Sequence, residues 1–161
     1  MVSWREVAVD DLAAQSLLTE YFASRALGFP PEQGEYRVVT PTPAQFVPPR
    51  GIFLVVEGED LAGEAADVGC GGIRRLEEFE DEVTFEVKHL WLQPHVRGGG
   101  NGRALLQELQ RRAVDLGAER LVLDTNASLE AAGGLYRASG YREIPAYNDN
   151  ANATTWYAKS L

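Results

Sequence analysis

From Leu90 to Leu106 the chain reads Leu-Trp-Leu-Gln-Pro-His-Val-Arg-Gly-Gly-Gly-Asn-Gly-Arg-Ala-Leu-Leu: an apolar strand, a turn, four glycines within five residues, then a helical pattern. Gly98, Gly99, Gly100 and Gly102 have no Cβ to shield their N–H groups, and the helix behind them adds orphan donors and a positive dipole end. A phosphate or pyrophosphate suits such a cradle. Register narrows the choice of phosphate. A nucleoside-triphosphate loop requires Gly-Lys-Ser/Thr, and the sequence has no Gly-Lys pair. A dinucleotide fingerprint requires G-x-G-x-x-G or G-x-G-x-x-A, but counting from Gly98 reaches Arg103 and counting from Gly100 reaches Leu105. Asp124, closing the next strand pattern, stands at a suitable distance for a ribose-binding acid and keeps an NAD-type reading open as the alternative. Two histidines, His89 and His95, and one cysteine, Cys70, make no zinc constellation, so no metal is expected, and no nucleophile-elbow motif is present.

Arg97-x-x-Gly100-x-Gly102, set between a strand and a helix, resembles the coenzyme A pyrophosphate motif of the Gcn5-related N-acetyltransferases, the GNAT family. Other segments follow in the family's order. Val68–Ile73 and Phe85–Leu92 resemble its third and fourth strands, Leu121–Asn126 its fifth, and Ala132–Tyr141 its A-x-x-L-Y-x-x-x-G-[FY] helix and turn. The likeness covers roughly residues 51 to 145. It implies one N-acetyltransferase domain over residues 1–161, with a central mixed, mostly antiparallel sheet flanked by helices. It further implies acetyl-CoA as cosubstrate and a small-molecule or peptide amine as acceptor. The implied coenzyme contacts are Leu90, Trp91, Leu92, Val96, Arg97, Gly98, Gly99, Gly100, Asn101, Gly102, Arg103, Asn126 and Tyr136. Within them the backbone N–H of Leu90 would hold the acetyl carbonyl and Leu92 would border the pantetheine arm. Asn101 departs from the apolar residue usual in the motif, although Asn caps helices well. A non-catalytic acyl-CoA-binding module of the same fold is a further alternative.

Acetyl transfer needs a held carbonyl, an uncharged amine and a proton for the leaving thiolate. By resemblance, the acid is Tyr136. Glu86 matches a position where some members hold a catalytic glutamate, and strict alternation puts it with Lys88 and Leu90 on one strand face, His89 opposite. A Glu86–Lys88 pair would keep the carboxylate ionised, which suits an ordinary cross-strand ion pair as well as a base. Gly133-Gly134, inside the Tyr136 helix, implies a close approach there or a local irregularity.

The elements that must position these groups follow from periodicity and punctuation. Asp10 or Asp11 caps a helix to about Leu27 with Leu12, Leu17, Leu18, Tyr21 and Phe22 as its stripe, and Gly28 stops it. Residues 30–50 hold six of the eight prolines and read as a long loop with one helical turn near Pro43–Phe46. In the family this region walls the acceptor cleft, which implicates Glu35, Tyr36 and Phe46. Ile52–Val56, Val68–Leu76 and Val83–Leu92 read as an antiparallel meander, with a turn at 57–60. Leu105, Leu106, Leu109, Ala113 and Leu116 recur at helical spacing before Gly117. A buried strand at Leu121–Asp124, a helix at Leu129–Ser139 and a strand at Thr154–Ala158 complete a mixed α/β chain.

At 161 residues the chain fits one domain that buries an ordinary core without staples. The lone Cys70, in an apolar strand, suits a reducing compartment, and no membrane-length apolar run or signal-peptide pattern is present, so a cytoplasmic location is expected. A net charge of −9 argues against nucleic acid or an anionic membrane as partner. Homodimers are common in the family, and nothing in the sequence demands one.

Overall fold

The computed structural model describes residues 2–161. Its elements run β1 (Ser3–Glu6), α1 (Leu12–Leu27), β2 (Gly51–Glu59), β3 (Ala65–Arg75), β4 (Thr84–Leu92), α2 (Asn101–Asp115), β5 (Arg120–Thr125), α3 (Glu130–Ala138), β6 (Arg142–Ile144) and β7 (Thr155–Ser160). Single turns of 3-10 helix lie at Pro31–Gln33, Pro43–Phe46 and Pro94–Val96. The seven strands form one sheet in the order β1-β2-β3-β4-β5-β7-β6, antiparallel except for β4 beside β5. One parallel pair in seven strands is not the doubly wound sheet a dinucleotide enzyme requires, which removes the support that Asp124 lent to that reading.

Each face of the sheet is covered by helix. Leu105, Leu106, Leu109 and Ala113 of α2, with Tyr136 of α3, pack on Leu54, Ile73, Phe85, Val87, Leu121 and Leu123. On the other face Ala14, Leu17 and Leu18 of α1 pack with Phe46, Phe53, Val55, Cys70 and Trp91. The alternation of Phe53 and Val55 toward α1 with Leu54 and Val56 toward α2 makes β2 apolar on both sides. Asp11 caps α1, its side chain accepting from the Ala13 N–H at 2.9 Å. Leu12, expected in the apolar stripe, is 88% exposed, because in the first turn its direction faces away from the sheet. The turn expected at 57–60 falls later: β2 runs on to Glu59, past a register shift at Val56/Glu57, and the chain reverses after Asp60. Gly72 faces the Phe46 and Phe53 rings so closely that a Cβ would lie 2.8–2.9 Å from their atoms, so a glycine here lets the Pro43–Phe46 turn sit against the sheet.

Candidate active site

β4 and β5 pair at Thr84–Arg120, Phe85–Leu121 and Glu86–Val122 and then separate, while β5 stays paired to β7 as far as Thr125. The backbone of β4 beyond Glu86 therefore has no strand on its β5 side. The split opens into a cavity of about 460 Å³. Its walls include Tyr21, Phe22 and Arg25 of α1, part of the 28–46 segment, Lys88, His89 and Leu90 of β4, residues 123–126, Tyr136, residues 148–150, Asn152 and Ala153. Tyr36 and Phe46, expected at the acceptor cleft, line it, whereas Glu35 is exposed and lies outside the lining.

A bulge in β4 changes which side chains face this space. Lys88 pairs with Gly72 but Trp91 with Cys70, so β4 carries one residue more than β3 between these points. His89 takes the strain at φ 57°. The extra residue shifts the alternation. Glu86 and Lys88 keep one face, His89 joins them by packing against Tyr21, Phe22 and Phe46, and Leu90 packs on the opposite, α2 side. The expected shared face of Glu86 and Leu90, with His89 opposite, is thus corrected.

The expected Glu86–Lys88 pair does not form either. Glu86 is fully buried and lies directly across from Arg74, whose guanidinium reaches Oε1 at 2.8 and 3.0 Å, while the Tyr147 hydroxyl donates to Oε2 at 2.6 Å. Both carboxylate oxygens are engaged, and Glu86 does not line the cavity. Burial beside this carboxylate drives the Tyr147 phenol well above its ordinary pKa. Lys88 instead approaches Asp124 Oδ1 at 3.5 Å, and Asn148 donates to Oδ2 at 2.8 Å while accepting from the Trp156 indole. Burial disfavours the charge on Lys88, but Glu86 and Asp124 outweigh it and hold its pKa above the usual value. His89, buried among rings and near Lys88 and Arg74, is pushed down to about 3 and is neutral.

The glycine loop lies at the other end of the split. Gly98 and Gly100 take φ 84° and 85°, and Gly100 is the N-cap of α2. The N–H groups of residues 98–103 find no acceptor among the described residues; the first helical bond is Ala104 N–H to the Gly100 carbonyl. Asn101 is the first helical residue, and its side-chain amide donates to the Val96 carbonyl at 2.9 Å, tying the loop to its entry turn. Arg97 turns inward, stacked 4.6 Å over the Trp91 ring and donating to the Leu92 carbonyl at 2.8 Å. Trp91 faces the α1 layer and Leu92 the α2 layer, where Leu92 and Leu135 border Gly102 at ordinary contact distance. Val96 packs against the same core, and Arg103 reaches the Ala138 carbonyl at 3.4 Å.

Tyr136 stands between the two ends. Its ring packs against Tyr141 and Tyr157 at 6.1 and 5.8 Å, it borders the cavity, and its hydroxyl has no hydrogen-bond partner among the described residues. Burial raises its pKa, so it is protonated at neutral pH. The α3 helix that carries it is regular through Gly133 and Gly134: the Arg137 guanidinium and Tyr157 hydroxyl crowd Gly133, while Gly134 faces open space. Asn126 holds three segments together, donating to Gln33 at 2.7 Å and the Asn152 carbonyl at 3.1 Å and accepting from Ser128 N–H.

The model of the Acetyltransferase (GNAT) family matches residues 12–141. The chain belongs to the GNAT family. It is 30% identical over 106 residues to an uncharacterized N-acetyltransferase of Schizosaccharomyces pombe, across 66% of this chain and 61% of that one. It is 35% identical over 77 residues to an IAA acetyltransferase of Azospirillum brasilense, across 47% and 48%. The match thus spans roughly half to three-fifths of these two curated relatives' lengths. Among solved structures, a candidate acyl-CoA N-acyltransferase from Klebsiella pneumoniae superposes with TM-score 0.75 at 25% identity, over 100% of this chain and 98% of that one.

Within this GNAT chain the networks around Arg74–Glu86–Tyr147 and Lys88–Asp124–Asn148 are what sequence reasoning missed. The first had a readable trace, since Arg74 and Glu86 stand opposite each other in an antiparallel hairpin. The second had none, because it joins segments 36 and 24 residues apart across a split that no local pattern encodes.

Proposed function

We propose that this chain transfers an acetyl group directly from acetyl-CoA to a primary amine of a small molecule or peptide. The observation that carries the reading is the split between β4 and β5, which has unpaired loop amides at one end, an amine-sized cavity at the other and the Tyr136 hydroxyl between. The amides of residues 98–103 receive the pyrophosphate, and the arm lies along the unpaired edge of β4, where the N–H of Leu90 meets the thioester oxygen. The amine attacks the carbonyl, the C–N bond forms, the C–S bond breaks, and Tyr136 protonates the departing thiolate. Asp149, the cavity-border carboxylate that no ion pair engages among the described residues, draws in the ammonium and accepts its proton, while Asp124 holds Lys88 and Asn148 in place. Glu86 acts as a positioning residue, fixing Arg74 and Tyr147. Cys70 stays outside the chemistry: it is buried in the α1 layer, burial pushes its thiol pKa up, and it does not border the cavity.

The test is thiol release from acetyl-CoA across a panel of amines, with Tyr136→Phe alongside wild type. Loss of the acid is expected to lower kcat by about a hundredfold or more with acetyl-CoA binding retained. Normal turnover in that variant removes Tyr136 from the mechanism, and tight acetyl-CoA binding with no transfer to any amine favours a binding module.

A further inference from the structure

We infer that the acceptor is an amine carrying a carboxylate on the same small skeleton, an apolar α-amino acid or close analogue, whose carboxylate is taken by Arg25 and Arg37. The inference rests on the acetyltransferase reading and adds the class of the acceptor.

The protein carries a net charge of −9, yet its cavity wall holds Arg25, Arg37, Arg74 and Lys88 against Asp124 and Asp149. Pairing sorts these charges. Arg74 is committed to buried Glu86 and Lys88 to Asp124. Arg25 and Arg37 have no acidic partner among the described residues, and the carboxylate left open is that of Asp149. Two free guanidinium groups and one free carboxylate complement a molecule that brings both a carboxylate and an ammonium.

Arg25 is parked over the Tyr21 ring at 5.1 Å, where a carboxylate can recruit it without first breaking an ion pair. Arg37 is fixed by its main chain: its N–H donates to the Asn152 side chain at 2.9 Å and its carbonyl accepts from the same amide at 2.7 Å. Tyr36, the residue before Arg37, packs against Phe29 at 5.7 Å, just past the end of the helix that carries Arg25. One part of the wall is a cluster of rings. Tyr21, Phe22, Phe46 and His89 border the cavity and make ring contacts at 5.2–6.1 Å, and neutral His89 adds no charge to them. That wall receives the acceptor's side chain.

Arg25 stands over Tyr21 and Arg97 over Trp91, and these two rings meet at 6.4 Å, so a coenzyme phosphate competes as the occupant of Arg25. Matched pairs of acceptors separate the two: L-phenylalanine against 2-phenylethylamine, L-leucine against 3-methylbutylamine, L-methionine against 3-(methylthio)propylamine. Each pair differs only by the carboxylate. Thiol release should show the acid member preferred by about tenfold or more in kcat/KM, the usual scale for a charged hydrogen bond. In Arg25→Gln and Arg37→Gln this preference should fall toward one while the Kd for acetyl-CoA holds, with Arg25→Lys recovering part of it. Equal or better turnover of the decarboxylated members overturns the inference and leaves acetyl transfer standing. A rise in the acetyl-CoA Kd of Arg25→Gln with the preference intact assigns Arg25 to the coenzyme and overturns it as well. Transfer to no amine at all, in these pairs or a wider panel, sinks the acetyltransferase reading first and this inference with it.

Discussion

His89 holds left-handed backbone at φ 57°, a conformation that costs a residue with a Cβ about 1–2 kcal/mol. Ring packing offsets that cost: the residue is 8% exposed and meets Tyr21 and Phe22 edge-on at 5.5 and 5.6 Å, while its buried Nδ1, without a partner among the described residues, adds a further cost. The bulge at this one residue decides that Lys88 and His89 face the cavity together while Leu90 turns to the α2 side. It also builds in a pH dependence. An unfolded histidine protonates near pH 6.5, whereas the folded ring refuses the proton until about pH 3, through burial first and then the charges on Lys88 and Arg74. The folded pKa is depressed, so this stability is fully present above pH 6.5 and is lost as pH falls through the window toward 3. Between pH 7 and 4.5 the loss amounts to roughly 2–3 kcal/mol. Urea unfolding at those two values should show His89→Asn, which tolerates the left-handed backbone, losing less stability than wild type by about that difference. Equal losses in the two proteins mean the folded ring accepts its proton normally.

At the scale of elements, the parts legible in the sequence were those whose apolar rows or punctuation are local. The α1 helix shows its Asp11 cap and Gly28 stop, and α2 shows Leu105, Leu106, Leu109 and Ala113 at helical spacing. The glycine loop was readable because four missing Cβ atoms and a helix start are both sequence properties. Strands β1 and β6, four and three residues long, carry too few alternations to register and exist by pairing with β2 and β7. The bulge was invisible because period two assumes an unbroken ladder, and that assumption misassigned Leu90 and His89. The loop itself separates backbone strain from ligand approach. Gly100→Ala places a Cβ at φ 85° and should destabilise the fold by about 1–2 kcal/mol. Gly99 has no unusual φ and a Cβ added there would meet no side chain or backbone within 4 Å beyond its chain neighbours, so Gly99→Ala should leave stability unchanged to within about 0.5 kcal/mol. If a pyrophosphate rests on these amides, the added methyl intrudes on it and the acetyl-CoA Kd should rise by about tenfold or more. Wild-type affinity in Gly99→Ala, measured by titration calorimetry, means the loop does not cradle the coenzyme at that point.

For the whole molecule, the balance between local donors and overall charge decides what kind of anion binds. A chain of net charge −9 repels a polyanion at long range, so affinity has to come from the six-residue run of unpaired amides at 98–103 and from the edge of β4 left open beyond Glu86. On the proposed reading the amides would recognise a pyrophosphate in any carrier, whereas the open edge would recognise only a carrier with an extended amide-bearing arm. Acetyl-CoA and NAD share the pyrophosphate and differ in the arm, which makes them the informative comparison. A ligand that binds only the native state stabilises it by about 2.7 kcal/mol at one hundred times its Kd. A domain of this size gains about 2–4 °C per kcal/mol, so acetyl-CoA should raise the unfolding midpoint by roughly 5–11 °C. NAD at the same concentration should raise it by less than about 1 °C. Because salt screens the long-range repulsion as well as the local attraction, most of the acetyl-CoA shift should survive an increase in ionic strength to about 0.5 M, where the Debye length is only a few ångströms. A matching shift with NAD would mean that the loop reads pyrophosphate alone and that the split between β4 and β5 contributes nothing to the choice of coenzyme.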